Sequence, residues 1–452
     1  MPTIVGMRGF LASSIGVTCA AALALPLTLP AASHAAPAPA RDGLPGSTQS
    51  LPLTSFATDR AAGAPQEQGL PQRDVHPFSL VGVVWDDPNA ELHGHVQVRT
   101  RTTGTTTWSA WQDVETHNDD APDPDTPERT SGHVRGSTAP LWVGDSDGVE
   151  VRVKSEEPAD ARAATSEADS PALPKGLRLE LVDPGEEPPQ GAPADGPRAS
   201  ALTAETAAAS AVNAELAPLG ATAVSALSKK ATEDELIEAR GGDAAATKAR
   251  PYVGARPRII TRKGWGADEK LREKQFAYTK TVKAAFVHHS ASGNNYRCSQ
   301  APSVIRSIYR YHVKSSGWRD IGYNFLVDKC GNIYEGRAGG VAKPVMGAHT
   351  LGFNTNSMGV AVLGSFGSAN PPAAAVNAIA KLTAWKLGLY GANPRGTTYL
   401  KSGGGNLYRK GKNVRLQVIS GHRDGFATEC PGRRLYNKLG KARASSAHLQ
   451  GR

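Results

Sequence analysis

The chain of 452 residues is poor in sulfur, with 4 cysteines and 4 methionines. So few cysteines exclude a small scaffold in which crosslinks stand in for a core. Aromatic residues are missing altogether between Trp142 and Tyr252, so most of that stretch lacks the bulky groups a core of its own would need. Acidic residues are scarce after residue 250. Pro251–Arg452 carries 8 Asp and Glu against 32 Lys and Arg, a net of +24, whereas the first 250 residues have a net of −15. Long apolar runs are lacking too. Phe10–Leu29 alone approaches membrane-span length, and Ser13, Ser14, Thr18 and Pro26 interrupt it, which excludes a multi-pass membrane protein.

What is present divides the chain into five parts. Residues 1–35 read as a signal peptide: Arg8 precedes the apolar run, and Ser33-His34-Ala35 offers small residues at the positions a signal peptidase reads. Cys19 follows Gly-Val-Thr, a poor match to a lipoprotein box. The expected location is therefore secreted or cell-wall associated, with no stable membrane span after cleavage. Residues 36–72, rich in Ala, Pro and Ser, read as a flexible spacer. Residues 73–185 hold short alternating runs between Gly and Asp turns, such as Phe78–Trp85, Val96–Arg99, Val149–Val153 and Leu177–Leu181. That spacing predicts a small all-β, sandwich-like accessory domain. Residues 186–255, rich in Ala, Pro and Gly, read as a disordered linker, with Ala204–Lys230 transiently helical at most.

Residues 256–445 alternate between strand and helix periods, which predicts an α/β domain with a mixed central sheet flanked by helices. Lys283–Val287 reads as a buried strand running into His288-His289. Ser299 reads as the N-cap of a helix through Tyr311, Tyr323–Glu335 as a hairpin and Met358–Leu363 as a buried strand. The series closes with a helix opened by Pro371-Pro372, a strand over Val414–Ile419 and a last helix over Arg433–Ala442. The surplus of positive charge suits an anionic partner, and export argues against nucleic acid in that role. The acidic loop Asp119–Glu128, with Asp119, Asp120, Asp123 and Asp125, reads either as a calcium loop or as a solvated surface; the glycine of an EF-hand loop is absent.

Without Cys19, three cysteines remain: Cys298, Cys330 and Cys430. An odd number in an oxidising compartment leaves one as a buried thiol, an intermolecular disulfide or a metal ligand. His288, His422 and Cys430 all stand at strand ends or in the loops that follow, where groups of an α/β sheet gather in a crevice. Two imidazoles and a thiolate suit zinc and leave a fourth position open. The other reading makes them a core histidine, a surface histidine and a buried thiol. The HExxH signature is absent.

Four segments carry a resemblance: FVHHSA (Phe286–Ala291), GWRDIGYNFLVDKCGNIYEGR (Gly317–Arg337), GAHTLGFNTNSMGVAVLGSF (Gly347–Phe366) and GHRDGFATECPG (Gly421–Gly432). In this order they resemble the peptidoglycan recognition protein family, which includes type-2 N-acetylmuramoyl-L-alanine amidases. The Trp-Ser-x-Trp motif at Trp108–Trp111 resembles the extra domain of secreted actinobacterial amidases. The resemblance implies one Zn2+ per chain, with His288, His422 and Cys430 as ligands, and catalytic roles for Tyr323 and Thr428. Animal members of that family carry their own disulfide near the second helix; here Cys298 and Cys330 are expected instead to tie the helix entry to the hairpin turn, the other reading being two unpaired thiols. The resemblance places His349 in the substrate groove or in a structural hydrogen bond, and Arg337 and Arg423 against stem-peptide carboxylates or as loop caps. The implied reaction is hydrolysis of the amide between N-acetylmuramic acid and L-alanine. The implied partners are muramyl peptides of peptidoglycan and anionic cell-wall polymers. The alternative is a non-catalytic module that binds peptidoglycan. Related enzymes with an aspartate ligand carry a glutamate where this chain has Ala361, so the resemblance is to the cysteine-ligand branch.

Overall fold

The computed structural model describes residues 46–56, 66–116, 120–156, 172–186, 202–241 and 251–452. The expected signal peptide, part of the spacer and parts of the linker lie outside the described residues. Among the described residues, no helix is long and apolar enough to cross a membrane.

The N-terminal half is all-β. Its strands are β1 (Thr48–Pro52), β2 (Thr54–Ser55), β3 (Glu67–Trp85), β4 (Gly94–Thr102), β5 (Gln112–Val114), β6 (Gly136–Ser137), β7 (Leu141–Ser155) and β8 (Arg178–Val182). They pair in the order β1-β8-β3-β7-β4-β5, with β2 and β6 added to β3. Val96, Val98, Val149, Val151 and Val153 alternate with exposed or half-exposed neighbours and fill one core with Phe78, Val81 and Val83. The expected spacer needs correction: β1, β2 and the start of β3 belong to this sheet, because Gln49 and Leu51 pair with Leu181 and Leu179. Trp108 and Trp111 lie outside the strands and stack on arginines, Arg152 standing 4.3 Å from the Trp111 ring centroid.

The C-terminal half is built on a second sheet. Its strands are β9 (Ala223–Val224), β10 (Ile259–Ile260), β11 (Ala284–His289), β12 (Phe325–Val327), β13 (Ile333–Glu335), β14 (Ser357–Val362) and, after a separate hairpin of β15 (Thr397–Lys401) with β16 (Asn413–Gln417), β17 (Ile419–Gly421). The order is β17-β11-β14-β12-β13-β10-β9. β17, β11, β14 and β12 run parallel, and β13 turns back antiparallel to β12, so the sheet is mixed. The helices are α1 (Ala204–Ala211), α2 (Lys229–Ala239), α3 (Arg262–Trp265), α4 (Ala301–Arg310), α5 (Ala373–Leu389), α6 (Arg433–Tyr436) and α7 (Leu439–Gln450). Met358, Val360 and Val362 pack with Ile379, Leu382 and Trp385 of α5 in one cluster, while Ala361 packs with Val304, Ile305 and Ile308 of α4 in another. The strand parity thus assigns one helix to each face.

Four further sequence expectations are corrected by the structure. The linker is not disordered throughout: α1, β9 and α2 fold onto the C-terminal half, with Val224 fully buried and Asn213 donating to Glu335 at 2.9 Å. Thr203 and Ser228 cap the two helices, a local signal that outweighs the absence of aromatics. Val414–Ile419 is split at Val418, the hairpin taking the first part and the main sheet the rest. The last helix breaks between Tyr436 and Leu439, and the helix expected from Ser299 begins as a 3₁₀ turn.

The two halves share a core. Leu80, Val84, Trp142 and Val182 of the β half join the α4 cluster, and Tyr311 reaches across to donate to the carbonyl of Thr138 at 3.1 Å. Gly82 makes the approach possible, since a Cβ there would lie 2.4 Å from the Tyr311 hydroxyl. Cys298 and Cys330 are bonded and tie the entry of α4 to the β12–β13 turn across a separation of 32 residues. Reduction is expected to cost about 3.7 kcal/mol by loop entropy. Denaturant unfolding with and without reductant measures this, and an unchanged midpoint would show that the crosslink constrains nothing.

Candidate metal centre

Parallel pairing of β11 with β17 sets Val287 opposite Gly421, so the next residues, His288 and His422, meet side by side at the strand ends. Their ring centroids are 4.6 Å apart. Alternation along β11 turns His289 the other way: its Nε2 lies 3.0 Å from a Glu115 oxygen, and its Nδ1 accepts from the Phe366 amide at 3.2 Å. Cys430 is brought back to the same corner by its carbonyl, which accepts from the Arg423 amide at 3.0 Å.

The donor atoms of His288, His422 and Cys430 all lie within 4.8 Å of one another, and all three residues are fully buried. Cys430 Sγ stands 3.7 Å from His288 Nδ1. Neither ring nitrogen of His422 makes a hydrogen bond among the described residues. A buried imidazole with both nitrogens unbonded, beside a thiol and a second imidazole, fits a zinc ion that takes nitrogen and sulfur. Burial lowers the pKa of both histidines to about 3, so they are neutral, as metal ligands must be. Burial pushes the Cys430 thiol well up, with the nearby carboxylates of Asp120 and Glu115 adding to it. A bound cation reverses that preference and stabilises the thiolate.

His349 backs the site rather than opening to a groove. It is fully buried, and its Nδ1 lies 3.3 Å from His288 Nε2 and 3.0 Å from the Thr350 hydroxyl. Gly347 and Gly359 clear space for its ring; a Cβ on either would come within 2.5 Å of it. His349 Nε2 makes no hydrogen bond among the described residues. Tyr323 packs at 5.5 Å from the His288 ring centroid. Thr428 is partly exposed, and its hydroxyl accepts from the Cys430 amide at 3.3 Å. Arg423 stacks on Tyr436 at 5.3 Å. Arg337 departs most from expectation. Its guanidinium is buried and donates to both oxygens of Glu128 at 2.8 and 2.9 Å, so in this arrangement it meets a carboxylate of its own chain.

The acidic loop is only partly the solvated surface that its sequence suggests. Asp125 is exposed and paired with Lys410, as a solvated loop would have it, whereas Asp120, Asp123 and Glu128 are turned onto the C-terminal half. Asp120 Oδ1 lies 3.1 Å from His288 Nδ1 and 3.4 Å from His422 Nδ1, and its Oδ2 accepts from the Tyr323 hydroxyl at 2.5 Å. Both histidines being neutral, these contacts are not ion pairs. Burial raises the Asp120 carboxyl to about 7, against the lowering effects of His422 and Tyr323. The one sequence signal for this arrangement was the opposition of an acidic loop to a basic half, which names no partner.

Comparison with known proteins follows this division. The family described as N-acetylmuramoyl-L-alanine amidase matches residues 278–433, and one described as an Rv3811 N-terminal galactose-binding domain-like family matches residues 35–175. Peptidoglycan-recognition protein SC2 of Drosophila simulans is 30% identical over 183 residues, 40% of this chain and 84% of that protein. Peptidoglycan-recognition protein SC1a of Drosophila melanogaster is 34% identical over 155 residues, 34% of this chain and 70% of that protein. Human N-acetylmuramoyl-L-alanine amidase is 31% identical over 188 residues, 40% of this chain and 28% of that protein. With this coverage, the chain belongs to the peptidoglycan recognition protein family, its type-2 amidase domain following a galactose-binding-like β domain.

Proposed function

We propose that the protein is an exported, zinc-dependent N-acetylmuramoyl-L-alanine amidase that cleaves the stem peptide from the glycan of peptidoglycan. The observation that carries this is the buried set of His288, His422 and Cys430, with donor atoms within 4.8 Å, inside a domain of the amidase family. Zinc, when bound there, supplies a Lewis acid that polarises the scissile carbonyl and acidifies a water. His288 and His422 stay neutral and present nitrogen lone pairs, while Cys430 contributes negative charge as a thiolate. His349 fixes the orientation of the His288 ring from behind. Tyr323, whose ring stands 5.5 Å from that of His288, would donate its hydroxyl, which Asp120 accepts in this structure, to the oxygen that gains charge as the amide carbon becomes tetrahedral. Thr428, two residues before Cys430, accepts from the Cys430 amide and so steadies the turn that presents the thiolate. The excess of Lys and Arg after residue 250 favours approach to an anionic wall.

One zinc per chain is expected, retained through dialysis against weak chelator and lost from a His288→Ala, His422→Ala double variant. Elemental analysis reads this directly. Full retention of zinc by the double variant would sink the ligand assignment. Mass spectrometry of digested peptidoglycan tests the reaction: stem peptides with a free L-alanine N-terminus should accumulate. Binding to muramyl peptide without such termini would make the protein a recognition module instead.

A further inference from the structure

We propose that Asp120, supplied by the β half, is a fourth protein ligand of the metal and that its loop holds the chain in a latent form. The proposal rests on the zinc reading above and adds the residue that closes the remaining coordination position. Zinc accepts carboxylate oxygen beside nitrogen and sulfur, and a site with four protein ligands is closed where a catalytic one keeps a place for water and substrate. Asp120 brings its carboxylate beside two of the ligands: one oxygen is 3.1 Å and 3.4 Å from the facing nitrogens of His288 and His422, and the other accepts from the Tyr323 hydroxyl. Two ligands and the candidate oxyanion donor thus all meet one side chain.

The loop around Asp120 is built to stay. Before it, Glu115 meets His289 Nε2 at 3.0 Å. After it, Asp123 accepts from the Gly352 amide and from the Asn354 side chain, each at 2.7 Å. Further along, Glu128 takes both guanidinium donors of Arg337 and the Arg319 amide at 3.1 Å. Four acidic side chains of one β-domain segment therefore each engage a group of the amidase half that lies beside the ligands or in the motifs carrying the family resemblance. The crevice left beside Asp120, between Trp85, Trp318 and Phe426, encloses about 190 Å³. None of His288, His422 and Cys430 lines it, so it does not open onto the ligands. A muramyl peptide reaches the metal once this segment has moved away.

The test uses the full chain loaded with cobalt(II), whose visible band reports on metal ligands. Azide titrated into the parent should leave the band unchanged at concentrations that saturate an Asp120→Ala variant, an apparent affinity difference of at least tenfold. Asp120→Asn, nearly isosteric, should show the same direction if the alanine variant folds poorly. Both variants should release L-alanine termini from purified wall at least tenfold faster than the parent. If parent and variants take azide equally while each holds one cobalt, Asp120 is no ligand and the proposal is overturned with the metal site intact. If the parent hydrolyses wall as fast as the variants, latency is overturned. Failure of the parent to bind cobalt at all would overturn the zinc reading and this proposal together.

Discussion

Cys430→Ser, made in a chain that also carries Asp120→Asn, is expected to lose zinc affinity on the order of 100-fold, about 2.7 kcal/mol, and to lose hydrolysis with it. Asp120 is replaced so that a covered site does not mask the loss. The cause lies in one atom. A thiolate is a soft, charged ligand, whereas a serine hydroxyl stays protonated at neutral pH and binds zinc weakly. Cys430 is unpaired and buried, so no crosslink is removed, and its carbonyl still anchors the Arg423 amide. The fold should therefore survive, which circular dichroism checks. Competition with a chromophoric chelator measures the zinc affinity. A serine variant that holds zinc and cleaves wall as its parent does would refute the ligand role of Cys430.

Glu128→Ala is expected to cost about 3–5 kcal/mol of stability, because it leaves a guanidinium buried without its counter-charge. Arg337 and Glu128 side chains are each 3% exposed, so water does not take over the lost partner. The remaining bonds of Arg337, to the carbonyls of Ile321 at 2.8 Å, Asp320 at 3.4 Å and Met346 at 3.5 Å, do not neutralise its charge, and the nearby Asp320 carboxylate is already paired with Arg262. Urea unfolding of the full chain reads the difference. Adding Arg337→Met to the alanine variant should recover much of the loss, since replacing both partners by apolar groups removes the stranded charge. A loss below about 1 kcal/mol for Glu128→Ala alone would show that the pair contributes as little as a surface bridge.

Much of the amidase half could be read from periodicity and spacing. The run Ala284–Val287 is apolar on both faces because helices cover both sides of a parallel strand, and that made it recognisable. His288 and His422 were legible because each closes such a strand. The folded part of the expected linker was harder to see: Ala-rich segments carry little amphipathic signal, and what holds β9 and Asn213 is tertiary contact with Ile259, Ile260 and Glu335. The role of Asp120 was beyond reach for a plainer reason. Its partners lie 168 residues and more further along the chain, and no local pattern encodes which surface a polar loop will meet.

The buried bonds between the halves also bear on how such a chain is inherited. Arg337, His289 and Asn354 are satisfied by Glu128, Glu115 and Asp123. A recombination event that joined this amidase half to a foreign β domain would strand those groups at a dry interface, at a cost comparable to a small domain's whole stability. Here the two halves form a matched set, in which a change at Glu128 is expected to be tolerated when Arg337 changes with it. The expected evolutionary unit is the pair, and compensating substitutions should cross from one half to the other.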